Sequence, residues 1–329
     1  MVKIIEGVVN ELISQIKVAE FDLPPLATGE WNWINNKYRN EYVRALYNRE
    51  WDDLHTFLLN PLSPLTAYGL ITPIASSNKL IEFSDDFLKD LELFRTNHST
   101  DYFMALQHQY LLKHKWSKNT EAHHAYPDSP RHADFALRIL QSLKFISNQK
   151  IGLEIGGGYG GLIYFLRKFG FEGKLINCDL LETLLVSFVF LRCNGLRVRI
   201  CLSQQNLVEA LNDQDQKLVI LITTDLFKYI GEQERISFVF NSRSFSEMSR
   251  STSTEYLERI NQIIKPNIVF SENAEEILFP NSERHLEVTQ KELTSLLPNY
   301  ELSDNIRTEY NGGANRYTLR ILHRLDLYS

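Results

Sequence analysis

The chain has 329 residues, 43% hydrophobic, 12% aromatic and 23% charged, enough for one large domain or two modest ones and too apolar for a disordered chain. Its 35 Lys and Arg against 41 Asp and Glu give a net charge of -6, without the basic excess by which nucleic-acid binders meet phosphate. Cys178, Cys193 and Cys201 lack metal-ligand spacing, and no apolar run suits a signal peptide or a bilayer-spanning helix, so a cytoplasmic protein with no membrane and no nucleic-acid partner is expected.

Ile4, Ile5, Val8, Val9, Leu12, Ile13 and Ile16 recur at helical spacing and predict an amphipathic first helix. "NKYRNEYVRALYNREWDDLHTFLL", "SDDFLKDLELFRTN" and "DYFMALQHQYLLKHKW" continue in the same style, separated by breakers such as "NPLSPLTAYG". Residues 1–120 thus read as a helical N-terminal domain that can cover a site, hold substrate or form a homodimer. Its tryptophans Trp31, Trp33 and Trp51, with Trp116, fill a core or stack on a ligand, core filling being the simpler role. The polar loop "KNTEAHHAYPDSPR", Lys118 to Arg131, marks the transition to a second domain over residues 121–329, which opens with the helix "HADFALRILQSLKFI".

Beyond Lys150 short apolar runs alternate with helical ones. "KIGLEI", the glycines, "LIYFLRKF", "KLINCD" and "LETLLVSFVFLRCNG" read strand, loop, helix, strand, helix, the grammar of a parallel sheet with right-handed crossovers. "KLVILIT", "ISFVFN" and "NIVFS" add three strands, for at least five parallel in all, with "LRVRICLSQQNLVEALNDQDQ" as an extra segment before the third. Thr252 with Glu255, and Thr289 with Glu292, have the spacing of capping boxes. "YELSDNIRTEY" and "RYTLRILHRL", flanking a turn at "NGG", predict a hairpin that makes the last strand antiparallel.

"LEIGGGYGG", Leu153 to Gly161, is the chemical centre of this pattern. Gly156, Gly158 and Gly161 satisfy the dinucleotide spacing, and Asp179 follows at the distance where an acid meets ribose hydroxyls. That motif alone leaves NAD open, since any ribose-bearing cofactor on a doubly wound sheet needs the same approach. Three features favour S-adenosylmethionine instead. Glu154 would repel a pyrophosphate but suits the sulfonium and ammonium of adenosylmethionine. Tyr159 stands where a dinucleotide turn favours a small residue, ahead of a short helix, and the terminal hairpin suits a methyltransferase sheet.

"LEIGGGYGGL", "CDLLETLL" and "FNSRSFSEMS" ahead of "EYLERI" together resemble the sugar O-methyltransferase family among the class I adenosylmethionine-dependent methyltransferases, over about residues 120–280, with "SFSEM" as its most specific part. The resemblance implies a Rossmann-like α/β fold whose sheet is mostly parallel, and methyl transfer to a small-molecule hydroxyl on a sugar or glycosylated metabolite. On the class pattern, Gly156, Gly157, Gly158 and Tyr159 approach the methionine part, which Glu154 holds, while Asp179 takes the ribose and Leu180 packs on adenine. Thr224 and Asp225 stand at the adenine position, or are plain loop residues.

Asn241, Ser242 and Arg243 end the fourth strand and face the cofactor crevice, where ligands of open parallel sheets bind, so Asn241 and Ser242 are cofactor-contact candidates, and Glu247 follows on the substrate side as a catalytic candidate. Capping by Ser244 and Glu247 is the structural alternative for that stretch. A hydroxyl acceptor needs in-line alignment and a base. His123, His124 and His132 precede the first strand and are the base candidates, with His285 as runner-up, and the neighbourhood of Asn273 at the end of the fifth strand is another place for substrate contacts. No Asp/Glu/His spacing calls for a metal. The alternatives are an NAD-dependent oxidoreductase and a non-catalytic cofactor-binding protein of the same fold.

Overall fold

A computed structural model of the chain describes residues 2–19, 29–67, 85–106, 128–144, 146, 151–276, 288–310 and 317–325. The chain opens with helices α1 (Val2–Val18), α2 (Gly29–Tyr38), α3 (Asn40–Tyr47), α4 (Trp51–Leu58), α5 (Pro64–Ala67), α6 (Asp85–Asn97) and α7 (Thr100–Met104). The stretch predicted around "YVRALYNREW" takes in the end of α2 and all of α3 and α4, and Arg49 turns the chain with φ +59° between the last two. Helix α8 (Ser129–Leu143) then leads to β1 (Ile151–Ile155), α9 (Gly161–Lys168), β2 (Lys174–Asp179) and α10 (Leu181–Cys193). After these come β3 (Val198–Cys201), α11 (Gln204–Asn212), β4 (Val219–Thr223), β5 (Ile236–Ser242), α12 (Ser244–Glu247) and α13 (Arg250–Arg259). The chain closes with β6 (Ile268–Ala274), α14 (Gln290–Ser295), β7 (Tyr300–Arg307) and β8 (Tyr317–Arg324).

The sheet order is β3-β4-β2-β1-β5-β6-β8-β7. Six strands run parallel, and β8 lies antiparallel between β6 and β7. This is the expected mostly parallel, Rossmann-like sheet, with one addition. The extra segment contributes β3 and α11, so β3 becomes the edge and β4 keeps the place beside β2, pairing Thr223 with Asp179. The four residues of β3 carry Arg199 and are too short for a clear alternation, which hides the strand in the sequence.

Alternation of period two divides the interior into two apolar layers. Leu153, Ile155, Ile176, Cys178, Ile220, Ile222, Val239 and Val269 face α13 and its neighbours. Leu175, Val219, Leu221, Phe238, Phe240 and Phe270 face the other way, into a layer shared with α1, α3, α4, α6, α8, α9 and α10. Helix α10 is apolar on nearly every side because the sheet lies on one face and α1 on another. Each fully buried side chain such as Leu184 or Phe188 contributes about 2 kcal/mol by leaving water. The N-terminal helices thus pack directly on the crossover helix that follows β2.

Two local expectations resolve differently. The Thr289–Glu292 capping box is present at α14, whereas α13 is capped one turn earlier than predicted. There Ser249 accepts the Thr252 N–H, because helical geometry already begins at Arg250. Residues 311–313, the predicted "NGG" turn, lie outside the described residues.

Candidate functional site

The strand order reverses between β1 and β5, and there the carboxyl ends of β1, β2 and β5 open a crevice. The glycine loop crosses it. Gly156 has φ +72°, and a Cβ there would collide with the Ser244 hydroxyl. A Cβ on Gly157 would lie 2.5 Å from Asn177 Oδ1 and 2.8 Å from Glu154 Cδ. Asn177 in turn accepts the Gly157 N–H at 3.2 Å and donates to the Ser187 hydroxyl at 3.3 Å. The loop is therefore seated by side chains from β2, α10 and α12, and its backbone passes directly over Glu154.

Glu154 lies on β1 between Asn177 and Phe240 and is buried, 7% exposed. Its Oε2 has no hydrogen-bond partner among the described residues. Burial pushes its carboxyl well above the usual range, the nearby Asp179 adds to this, and Arg131 opposes it. A buried carboxyl with an unmatched oxygen is costly unless a cation meets it. The place fits a cationic group above the loop, whose charge would favour the ionised carboxylate.

Asp179 ends β2 and accepts the Gly158 N–H at 2.8 Å on one oxygen and the Leu180 N–H at 2.7 Å on the other. Burial pushes its pKa up to about 7 against those two backbone donors. Each carboxylate oxygen keeps a lone pair for a further donor, as a ribose diol requires. Leu180 is half-buried with an extended backbone at the start of α10. Thr224 and Asp225 open a tight helical turn directly after β4, so both follow the strand next to Asp179. Thr224 is half-buried and Asp225 exposed.

Other sequence candidates are placed differently. Tyr159 is buried beneath the loop, its ring edge-on to Phe190 at 4.9 Å and its hydroxyl 3.3 Å from His132 Nδ1. His132 sits on α8 with Nε2 3.5 Å from Arg131. Burial holds its pKa well below the ordinary value, Arg131 and Arg243 push the same way, and Glu272 opposes them. The imidazole is neutral, and a proton on it is opposed by two guanidiniums. Asn241 donates to the Ile155 carbonyl at 2.9 Å and to the Ser244 hydroxyl, and accepts from Asn273 at 2.9 Å. Its amide and that of Asn273 therefore fasten β1, β5, β6 and α12 to one another. His123, His124, His285 and Trp116 lie outside the described residues.

Sequence reasoning missed the contribution of the first helices. From α2, Trp31 donates its indole N–H to Glu247 at 2.9 Å, and Asn35 donates to Glu182 at 2.6 Å. Arg39, just after α2, is fully buried between Asn35 and the Glu182 carbonyl, which Tyr42 also reaches at 2.7 Å. Helix α2 thus bridges the carboxyl ends of β2 and β5 from above. The buried Arg131 on α8 was likewise unmarked. It donates to Ser242 at 2.8 Å and to Glu272 at 3.0 Å. Neither contact has a local sequence signal, since each joins residues more than a hundred positions apart.

Among the described residues, no cluster of His, Cys, Asp and Glu could hold a metal ion and no helix is long and apolar enough to cross a membrane. The cysteines are buried free thiols.

No protein-family model and no curated protein matches the chain. Among solved structures, magnesium protoporphyrin IX methyltransferase (ChlM) from Synechocystis PCC 6803, with bound SAH, is similar at 12% identity over 71% of this chain and 99% of that one, with a TM-score of 0.41. The pyocyanin biosynthetic protein PhzM is similar at 13% identity over 90% of this chain and 72% of that one, with a TM-score of 0.38. A small RNA methyltransferase matches at 12% identity and a TM-score of 0.42, over 60% of this chain and 26% of that one. The chain's own topology and side chains carry the functional reading.

Proposed function

We propose that the protein is an S-adenosylmethionine-dependent methyltransferase that methylates a hydroxyl of a small molecule, a sugar or glycosylated metabolite. The observation that carries this reading is Glu154, buried under the glycine loop with an oxygen that nothing among the described residues satisfies. The ammonium of the methionine part meets that oxygen, whereas a pyrophosphate would be repelled from it. Asp179 takes the ribose diol with the lone pairs left by its two backbone donors. Leu180, Thr224 and Asp225 flank the adenine, and Gly156, Gly157 and Gly158 supply the close backbone approach.

Adenosylmethionine supplies an electrophilic methyl group. The chain's own contribution is alignment and exclusion of water, with α2 covering the crevice through its contacts to Glu182 and Glu247. Ser242 and Glu247 stand on the acceptor side. The acceptor proton goes to a base drawn from the residues ahead of α8, with His123 and His124 as candidates; His132 is the third, and its neutral ring is better suited to holding Tyr159 under the glycine loop.

The test is transfer of labelled methyl from adenosylmethionine to free hexoses and hexose-bearing glycosides. The proposal expects label in a base-stable ether. Label found only in a base-labile ester or in an amine overturns the hydroxyl assignment.

A further inference from the structure

The geometry points to a carboxylate-binding subsite at Arg243, and so to an acceptor that is a sugar acid; this rests on the methyltransferase reading above. Arg243 follows β5 directly, at the carboxyl end across the switch point from Glu154. Its backbone has φ +67° and ψ -33°, a region that non-glycine residues avoid at a cost of about 1–3 kcal/mol. The turn is held from three sides. The Arg243 N–H donates to the Glu272 carbonyl at 2.6 Å, and its own carbonyl accepts from Ser246 at 3.0 Å and Glu247 at 3.3 Å. Glycine would fit this turn without strain, so the side chain is what the position retains.

The Arg243 guanidinium carbon lies 4.2 Å from the centre of the Tyr317 ring, and Nε is 3.6 Å from Glu272 Oε2. Arg131 at 3.0 Å and the Ser242 hydroxyl at 2.5 Å are both nearer the same oxygen and would stay on it without Arg243. Burial works to raise the Glu272 pKa, but Arg243, Arg131 and Ser242 outweigh it and keep the carboxylate ionised. The two terminal nitrogens of Arg243 donate to none of the described residues, although only 15% of the side chain is exposed. A guanidinium so withdrawn from water, laid on an aromatic face and left with a free fork, matches the planar, two-oxygen geometry of a carboxylate.

Carboxylate is favoured over phosphate by the charges around it. Glu247 and Glu30 act on the same Tyr317 hydroxyl that Arg243 faces, so negative charge already stands on that side. Among those acids the single charge of a carboxylate is repelled less than the double charge of a phosphate dianion.

The test uses the full chain loaded with adenosylhomocysteine and titrated with D-glucuronate and D-galacturonate, each against its parent hexose and against glucose 6-phosphate. A charge-assisted bidentate contact predicts at least about tenfold tighter binding of a uronate than of its hexose. Arg243→Gly, which keeps the turn and relieves its φ while Arg131 and Ser242 stay on Glu272, should still fold, bind adenosylhomocysteine within about threefold of wild type, and lose the uronate preference; Arg243→Lys should retain part of it. Equal binding of hexose and uronate overturns the subsite, as does a preference that survives in Arg243→Gly or equal binding of the phosphate. Failure of wild type to bind adenosylhomocysteine would overturn the cofactor reading instead, a separate outcome.

Discussion

The indole N–H of Trp31 and the carboxylate of Glu247 meet at 2.9 Å, joining a helix near the start of the chain to the turn that follows β5. With Asn35 on Glu182, this bond holds α2 across the crevice. Trp31→Phe keeps an aromatic ring and removes the donor, so it should lower unfolding stability by about 1–2 kcal/mol, the worth of a hydrogen bond to a charged group. Urea unfolding reads this as a lower midpoint at unchanged slope. An unchanged midpoint would mean that the bond contributes nothing to closing the site.

Asp179 gives the protein a pH response. Its folded pKa is about 7 against an ordinary 3.8, raised by burial, so the folded chain holds a proton that the unfolded chain releases between those values. The stability this group contributes is present below pH 3.8 and is lost as pH rises through about 7. Asp179→Asn should therefore gain stability relative to wild type as pH rises through that window, in thermal melts without cofactor. Adenosylhomocysteine affinity of wild type should rise over the same window, because the ionised carboxylate is the better acceptor for ribose hydroxyls. Affinity independent of pH would detach Asp179 from the ribose.

Gly157→Ala tests the seating of the loop. The new Cβ would press on Asn177 and Glu154 together, and neither can retreat without losing a partner or entering the core. Overpacking of this kind costs about 1–3 kcal/mol, and the displaced loop should lower adenosylhomocysteine affinity further than the stability loss alone explains. A variant with wild-type affinity would show that the backbone does not need to approach Glu154 so closely.

Much of this architecture was legible in the sequence, and the reasons are local. Strands β1, β2, β4, β5 and β6 are continuous apolar runs bounded by turn residues, and the β7–β8 hairpin was readable from its flanking runs. Glu154 and Asp179 were readable because each abuts the glycine loop or ends a strand. The edge strand β3 was not, being four residues long, and neither was the break at Arg49, where a non-glycine residue takes a left-handed turn. Tyr159 read as a cofactor contact because it sits among the glycines, yet its ring packs inward against Phe190 and His132. The roof of α2 and the Arg131–Glu272 pair depend on contacts across the whole chain, and no spacing within either segment announces them.

The central claim is that Glu154 receives the cationic end of adenosylmethionine, and the most direct measurement is calorimetric titration of adenosylhomocysteine and NAD into wild type and Glu154→Gln. The glutamine variant keeps the shape and replaces a carboxyl that burial already pushes toward its neutral form, so it should be no less stable, while binding adenosylhomocysteine at least about tenfold more weakly because it cannot ionise to meet the ammonium. Wild type should bind adenosylhomocysteine and not NAD. NAD binding without adenosylhomocysteine binding, or equal adenosylhomocysteine affinity in both proteins, would contradict the account.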